Sequence, residues 1–297
     1  MLYRTPDEVD VRLDQLPTLP RPERVLLTTP TYYDVEYVIN PHMADHVGTV
    51  NAAAALQQWK ALRATYQALD VSPTIVNGQP GLPDMVFCAN QTLPFLLPDT
   101  NERGVILSRM HAAERADEVP HYADAFEADG YRVEALPFDE DLTFEGMGDA
   151  IWHPGRFLLW GGYGVRTQPA AYEAIAEILD VPIVLLELQD SDYYHLDTCF
   201  CPLDPKHALI APAAFDDNGR ALIDALFDTV IEAPDDEARH QFACNAHCPD
   251  GTHVLIQEGC DDTVARLRRE GFRPVELDTS EFLKAGGSVF CLKQMIW

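Results

Sequence analysis

The sequence predicts an α/β protein built as a ring of five similar units around a central cavity, and three observations predict it. Short apolar strands recur five times. A helix and a second strand follow each of them. A polar, glycine- or proline-marked segment stands at the same place in every unit. A doubly wound sheet would also accept successive β-α-β units, but it gives no reason for the polar segments to be equivalent. A ring does, because equivalent segments then converge on one cavity.

The opening strands are RVLLTTP (24–30), GVILSRM (104–110), RFLLWGG (156–162), HALIAPA (207–213) and THVLIQE (252–258). Each is rich in Val, Ile and Leu and ends in a breaker or polar cluster, as a buried strand does. The helices expected after them cover 51–70, 116–130 (with Pro120 near its start), 168–180, 217–228 and 260–271. The last has acids at its N-terminus, Asp261 and Asp262, and a terminating glycine, Gly271. Second strands are read in SPTIVNG, YRVEALP, VPIVLLELQ, DTVIEAP and FRPVELD. The opening strands after the first begin 52, 51 and 45 residues apart.

The 297 residues allow one large domain or two small ones. No apolar run approaches the ~18 residues of a membrane span, and the first residues lack the apolar core of a signal peptide, so a cytoplasmic protein is expected. Seven cysteines without a secretory signal read as free thiols. Acids outnumber bases 48 to 21, a formal charge of −27. That balance argues against nucleic acid or an anionic membrane as partner. It suits a high-salt cytoplasm or a cationic small molecule equally well.

The polar segments are GLPDMVFCAN (81–90), LTFEGMGDAIW (142–152), DYYHLDTCF (192–200), FACNAHC (242–248) and FLKAGGSVFC (282–291). They offer Asp84, Asn90, Glu145, Asp149, His195, Asp197 and Cys291. A thiol, an imidazole and several carboxylates are the parts of a nucleophilic site. Carboxylates, which only accept, match the N–H fork of a guanidinium.

The series YYDVEYVINPHM (32–43), LPDMVFCAN, FEGMGD, GGYGVRT, YYHLDTCF and KAGGSVFC, in this order over almost the whole chain, resembles the guanidino-group-modifying (pentein) superfamily. That superfamily holds amidinotransferases, dimethylarginine dimethylaminohydrolases, arginine deiminases and arginine dihydrolases. The early segment is most similar to the arginine dihydrolase branch. The resemblance implies a single domain over 1–297 with a five-bladed α/β propeller of ββαβ-type units. It also implies hydrolysis of arginine or an N-methylated arginine through a covalent amidino-thioether, without metal or cofactor. An amidinotransferase passing the group to an amine is the alternative.

By position, the resemblance makes Cys291 the nucleophile, His195 the general acid/base and Glu145 the carboxylate orienting the histidine or the guanidinium. Asp84, Asn90 and Asp197 would surround the guanidinium. Asn40, Arg166 and Arg115 match positions for the amino-acid end, Arg166 as a salt bridge to the α-carboxylate. The Ala285 carbonyl would face the substrate, with Gly286 and Gly287 letting the backbone approach it. Where dimethylarginine hydrolases carry an acid, this chain has Asn90, which favours arginine.

Other readings remain open on the residues alone. Asp149 belongs to the site or to the scaffold. The C-x₃-C spacing of Cys244 and Cys248, with His240 and Cys260 nearby, offers soft ligands for zinc, although structural zinc sites are spaced more tightly. A non-catalytic amino-acid binder would tolerate serine at Cys291. The oligomeric state is not fixed by the sequence; a homo-oligomer is compatible with it.

Overall fold

The computed structural model describes residues 1–137 and 142–297. In chain order its strands and helices are β1 (Leu2–Tyr3), β2 (Arg24–Thr28), α1 (Ala52–Ala68), β3 (Ser72–Val76), β4 (Thr92–Leu96), β5 (Arg103–Leu107), α2 (Val119–Ala128) and β6 (Arg132–Ala135). The middle of the chain forms α3 (Gly146–Asp149), β7 (Ala150–Trp152), β8 (Leu159–Tyr163), α4 (Ala171–Leu179), β9 (Ile183–Glu187), β10 (Phe200–Pro202), β11 (His207–Ile210), α5 (Asp217–Leu226) and β12 (Thr229–Glu232). The remainder forms α6 (Asp235–Gln241), β13 (His253–Gln257), α7 (Asp261–Arg269), β14 (Arg273–Leu277), α8 (Ser280–Leu283) and β15 (Gln294–Ile296).

All five β-α-β passages stand where the apolar patterning put them, and each has its own sheet. The parallel pairs are β2–β3, β5–β6, β8–β9, β11–β12 and β13–β14. The helix between each pair buries one stripe. In α1 that stripe is Ala55, Trp59, Leu62 and Tyr66, at the three- and four-residue spacing of a single helix face.

Each polar segment runs into a further short strand, which pairs antiparallel with the opening strand: β4 on β5, β7 on β8, β10 on β11. In the fourth unit this strand shrinks to one bridge, His247 to Leu255. The fifth is closed by the C-terminus, β15 pairing with β2. β1 extends one sheet as a parallel neighbour of β9.

Burial is graded across the sheets. The strands β4, β7, β10 and β15 are wholly buried, the opening strands nearly so, and β3, β6 and β14 are largely half-exposed. The polar segments therefore lead into the most buried strands of the protein. That is the geometry needed to place charged side chains out of water.

The α7 start differs in detail from its expectation. Its N-cap, Cys260, makes no side-chain capping bond; the Glu237 carboxylate of α6 accepts from the N–H groups of Asp262 and Thr263 instead. Asp261 and Asp262 lie in the first turn, where they interact with the helix dipole. Gly271 does terminate the helix, with φ of +90°. Among the described residues no helix is long and apolar enough to cross a membrane.

Candidate active site

A small cavity is walled by Asn40, Asp84, Asn90, Arg115, Arg166, Ala285 and Cys291, together with Tyr194 and Phe87. Its volume is about 10 Å³, room for roughly one water and far too little for an arginine. Behind this wall stand Glu145, His195 and Asp197, each almost completely buried.

Cys291 follows the turn after α8. Its Sγ lies 3.2 Å from Asp197 Oδ2 and accepts from Asn245 Nδ2 at 3.1 Å. Asn245 holds the arrangement together. Its Oδ1 accepts the N–H groups of Ser288 and Cys291, and its Nδ2 also donates to the Asp197 carbonyl at 2.9 Å. Burial pushes the Cys291 thiol well above its usual range, and the Asp197 carboxylate adds to this. Asp197 is itself pushed up to about 7, by burial and against the thiol contact. Without a ligand, the sulfur is therefore a protonated thiol at neutral pH.

His195 Nε2 lies 2.6 Å from Glu145 Oε2, leaving Nδ1 buried and without a partner. Glu145 also receives Arg166 NH1 at 3.0 Å and the His111 N–H at 2.8 Å. Burial opposes ionisation of Glu145, but the contact with His195 and the guanidinium of Arg166 hold its carboxyl far below the usual range. The ionised carboxylate accepts from Nε2–H, and Nδ1 is the ring nitrogen left without a protein partner. The turn after Glu145 needs glycine. Gly146 has φ of +54°, and a Cβ there would lie 2.6 to 2.9 Å from three carbonyl oxygens.

The other expected residues divide by what they touch. Oδ1 of Asp197 and Asn90 Nδ2 are buried without a hydrogen bond, and so is the Asp84 carboxylate apart from the Tyr37 hydroxyl beside it, which does not reach good hydrogen-bond geometry. Burial pushes Asp84 up, opposed by the charge of Arg115. Arg115 is already engaged: it pairs with Glu118, donates to Asn90 Oδ1 at 2.9 Å and reaches the carbonyls of Asp84 and Phe87. It fixes the Asp84–Asn90 segment. Arg166, besides Glu145, donates to the Ile39 carbonyl at 2.7 Å and lies over the Tyr194 ring.

The Ala285 carbonyl accepts from Asn40 Nδ2 at 3.0 Å. The two following glycines make room for protein atoms. A Cβ on Gly286 would lie 2.9 Å from Asn40 Oδ1, and one on Gly287 would lie 2.6 Å from the Phe87 ring. Asp149 belongs to the scaffold. One oxygen accepts from Thr167 Oγ1 and the other from the Leu196 N–H, anchoring the His195 turn.

Sequence reasoning passed over Asn245 and Tyr194. Asn245 stands in the fourth polar segment, the one segment that offered no candidate for the nucleophilic site, and that gap was the available signal. Cys244, Cys248, His240 and Cys260 do not assemble as metal ligands: Cys260 lies in the apolar core and His240 is exposed beside Asp236. Cys244 packs in the apolar core, His247 Nδ1 meets the Tyr66 hydroxyl at 2.9 Å, and no cluster of three His, Cys, Asp or Glu suited to a metal occurs among the described residues.

A thiol, an imidazole and unsatisfied buried carboxylates, carried on segments between small α/β sheets, are the parts of a nucleophilic enzyme site. No family model matches the sequence. The chain is 37% identical over 272 residues to the N(G),N(G)-dimethylarginine dimethylaminohydrolase of Mycobacterium tuberculosis, covering 92% of this chain and 85% of that protein. It is also 37% identical over 274 residues to the bifunctional arginine dihydrolase/ornithine cyclodeaminase ArgZ of Synechocystis sp.. That match covers 91% of this chain but only 37% of ArgZ. The solved N-terminal domain of ArgZ, a cysteine-to-serine mutant bound to substrate, superposes with a TM-score of 0.85 at 36% identity, covering 92% of this chain and 97% of that one. The same domain covalently bound to a reaction intermediate matches equally well, at 0.85. The chain belongs to the family of arginine dihydrolases and dimethylarginine dimethylaminohydrolases in the pentein superfamily, hydrolases that act on C–N bonds of amidines.

Proposed function

We propose that this protein hydrolyses the guanidino group of arginine, or of an N-methylated arginine, through a covalent intermediate on Cys291. The observation that carries the reading is the set of unsatisfied carboxylate oxygens, two on Asp84 and one on Asp197, buried around the thiol. Leaving polar oxygens buried without donors costs several kcal/mol each, about the scale at which native proteins rarely do so. A planar cation with several N–H groups supplies those donors.

The guanidinium binds to Asp84 and Asp197, and its charge favours loss of the thiol proton, which passes to His195. The thiolate attacks the guanidinium carbon, forming the S–C bond. His195 gives a proton to the departing amine as its C–N bond breaks. Water then loses a proton to His195, adds to the amidino carbon and releases the thiolate. Arginine gives citrulline and ammonia, and a second round at the ureido carbon would give ornithine. Glu145 keeps the imidazole oriented, and Arg166, Asn40 and the Ala285 carbonyl hold the amino-acid end.

The architecture belongs to the same proposal. The sheets stand as five blades of one domain over 1–297, with the most buried strands β4, β7, β10 and β15 nearest the axis. The gradient of burial and the convergence of all the polar segments support it. The free state of all seven cysteines fits a cytoplasmic location.

The test is incubation with arginine, monomethylarginine and dimethylarginine side by side, with ammonia, methylamines, citrulline and ornithine measured. Release of citrulline or ornithine together with a trapped adduct on Cys291 is expected. No product from any of the three sinks the reading, and a new guanidino compound on adding glycine would replace hydrolysis by amidino transfer.

A further inference from the structure

A second cavity, about 280 Å³, shares no wall residue with the one at Cys291. The C-terminal segment separates them: Cys291 lines the small cavity, while Phe290, Lys293 and Met295 line the large one. Leu19, Pro20, Ile151 and Trp152 add to an apolar wall. At 280 Å³ it is near the lower end of small-molecule sites, which run from about 300 to 1,000 Å³.

Lys293 gives this cavity a chemical character. Its side chain is 1% exposed, and its ammonium sits 3.1 Å from the centre of the Phe290 ring. Among the described residues no carboxylate or carbonyl oxygen hydrogen-bonds to it. A ring face offsets only part of the cost of burying a cation. Arg21 in the wall is exposed to solvent; the wall's acids and histidines are committed elsewhere. Asp204 and Asp250 accept within their own turns, from His207 and His253. His153 meets the Pro205 carbonyl and His247 the Tyr66 hydroxyl. Asp197 and the thiols of Cys88, Cys201 and Cys291 are the groups whose charge bears on Lys293, yet burial still brings it down to about 7.

We propose that this cavity is a binding site for a small monocarboxylate with an apolar or aromatic body, the carboxylate pairing with the Lys293 ammonium. One buried, unpaired cation calls for one negative charge, and the aliphatic and aromatic walls call for an apolar remainder. The two cavities share no wall residue, although the charges of Asp197 and Cys291 reach Lys293, and the test reads binding rather than turnover.

Titration calorimetry with benzoate, 3-phenylpropionate, benzamide and inorganic phosphate tests it, on the wild-type protein and on Lys293→Met and Lys293→Gln, each checked for cooperative unfolding. Benzoate or 3-phenylpropionate is expected to bind at millimolar or lower concentration, with benzamide at least about tenfold weaker. Both variants should weaken carboxylate binding by about tenfold or more. Absence of carboxylate binding at millimolar concentration overturns the proposal. So do equal affinities for benzoate and benzamide, binding that survives loss of Lys293, or phosphate binding as tightly as benzoate.

Discussion

Cys291 Sγ and Asp197 Oδ2 lie 3.2 Å apart in a site closed to solvent, and burial raises the pKa of both. A neutral resting thiol next to a carboxylate titrating near neutrality makes the reactive state dependent on an arriving cation. Cys291→Ser should therefore bind an arginine-like ligand while losing turnover by about 10⁴-fold or more. Single-turnover assays and calorimetry on the variant check this; turnover within tenfold of wild type would falsify the covalent route.

Asp197 sets a pH dependence. Its carboxyl is raised to about 7, so below that pH the acid is protonated and is no longer an anionic partner for a guanidinium. Affinity for arginine should fall by about tenfold per pH unit below 7. In the absence of ligand the same shift acts against the folded state. A carboxyl raised on folding costs no stability below its unfolded value near 3.8, and the cost grows as pH climbs to about 7. Binding measured from pH 5 to 8, with Asp197→Asn as the flat control, checks both sign and window.

Asn245 is predicted to be a positioning residue. It bonds to the Cys291 sulfur, to the Cys291 and Ser288 N–H groups and to the Asp197 carbonyl. Truncation to alanine leaves buried donors and an acceptor unpaired, at about 1–3 kcal/mol for each group. Asn245→Ala should lower the urea midpoint, and kcat should fall far more than KM rises. An unchanged kcat in folded Asn245→Ala protein would remove it from the site.

Gly148 tests the histidine. A Cβ there would lie 2.3 Å from Asn90 Nδ2 and 3.3 Å from His195 Cγ. Gly148→Ala should cost about 1–3 kcal/mol of stability by overpacking and displace the imidazole. Activity should drop by about a hundredfold, the scale of a lost general acid/base. A fully active, equally stable Gly148→Ala protein would mean that His195 stands elsewhere during turnover.

Lys293 predicts a gain of stability. Its amine falls from 10.5 to about 7 on burial, so below pH 7 the folded state carries the whole penalty, which is relieved as pH rises toward 10.5. Removing the charge with Lys293→Met should stabilise the protein by on the order of 4 kcal/mol below pH 7, at ~1.4 kcal/mol per tenfold change in protonation. The gain should fade toward pH 10. Thermal unfolding of both proteins at pH 6 and pH 10 would show it; a destabilised variant at pH 6 would contradict the assignment.

The sequence by itself determined the β-α-β frame, because strand and helix periodicity are local: the stripe Ala55, Trp59, Leu62 and Tyr66 is a pattern within one helix. It also pointed to the thiol, imidazole and carboxylates of the polar segments, whose chemistry is legible from residue type alone. Only the tertiary structure decided what each of them touches. Cys291 and Asn245 are 46 residues apart, and β15 finds β2 across nearly the whole chain. It likewise decided that Arg115 is held by Glu118, that Asp149 anchors a turn, and that the Ala285 carbonyl is met by Asn40. An asparagine or a lysine carries no periodic signal of its role. Its function depends on which distant donors and acceptors the path of the chain brings within 3 Å, and on whether water is left between them.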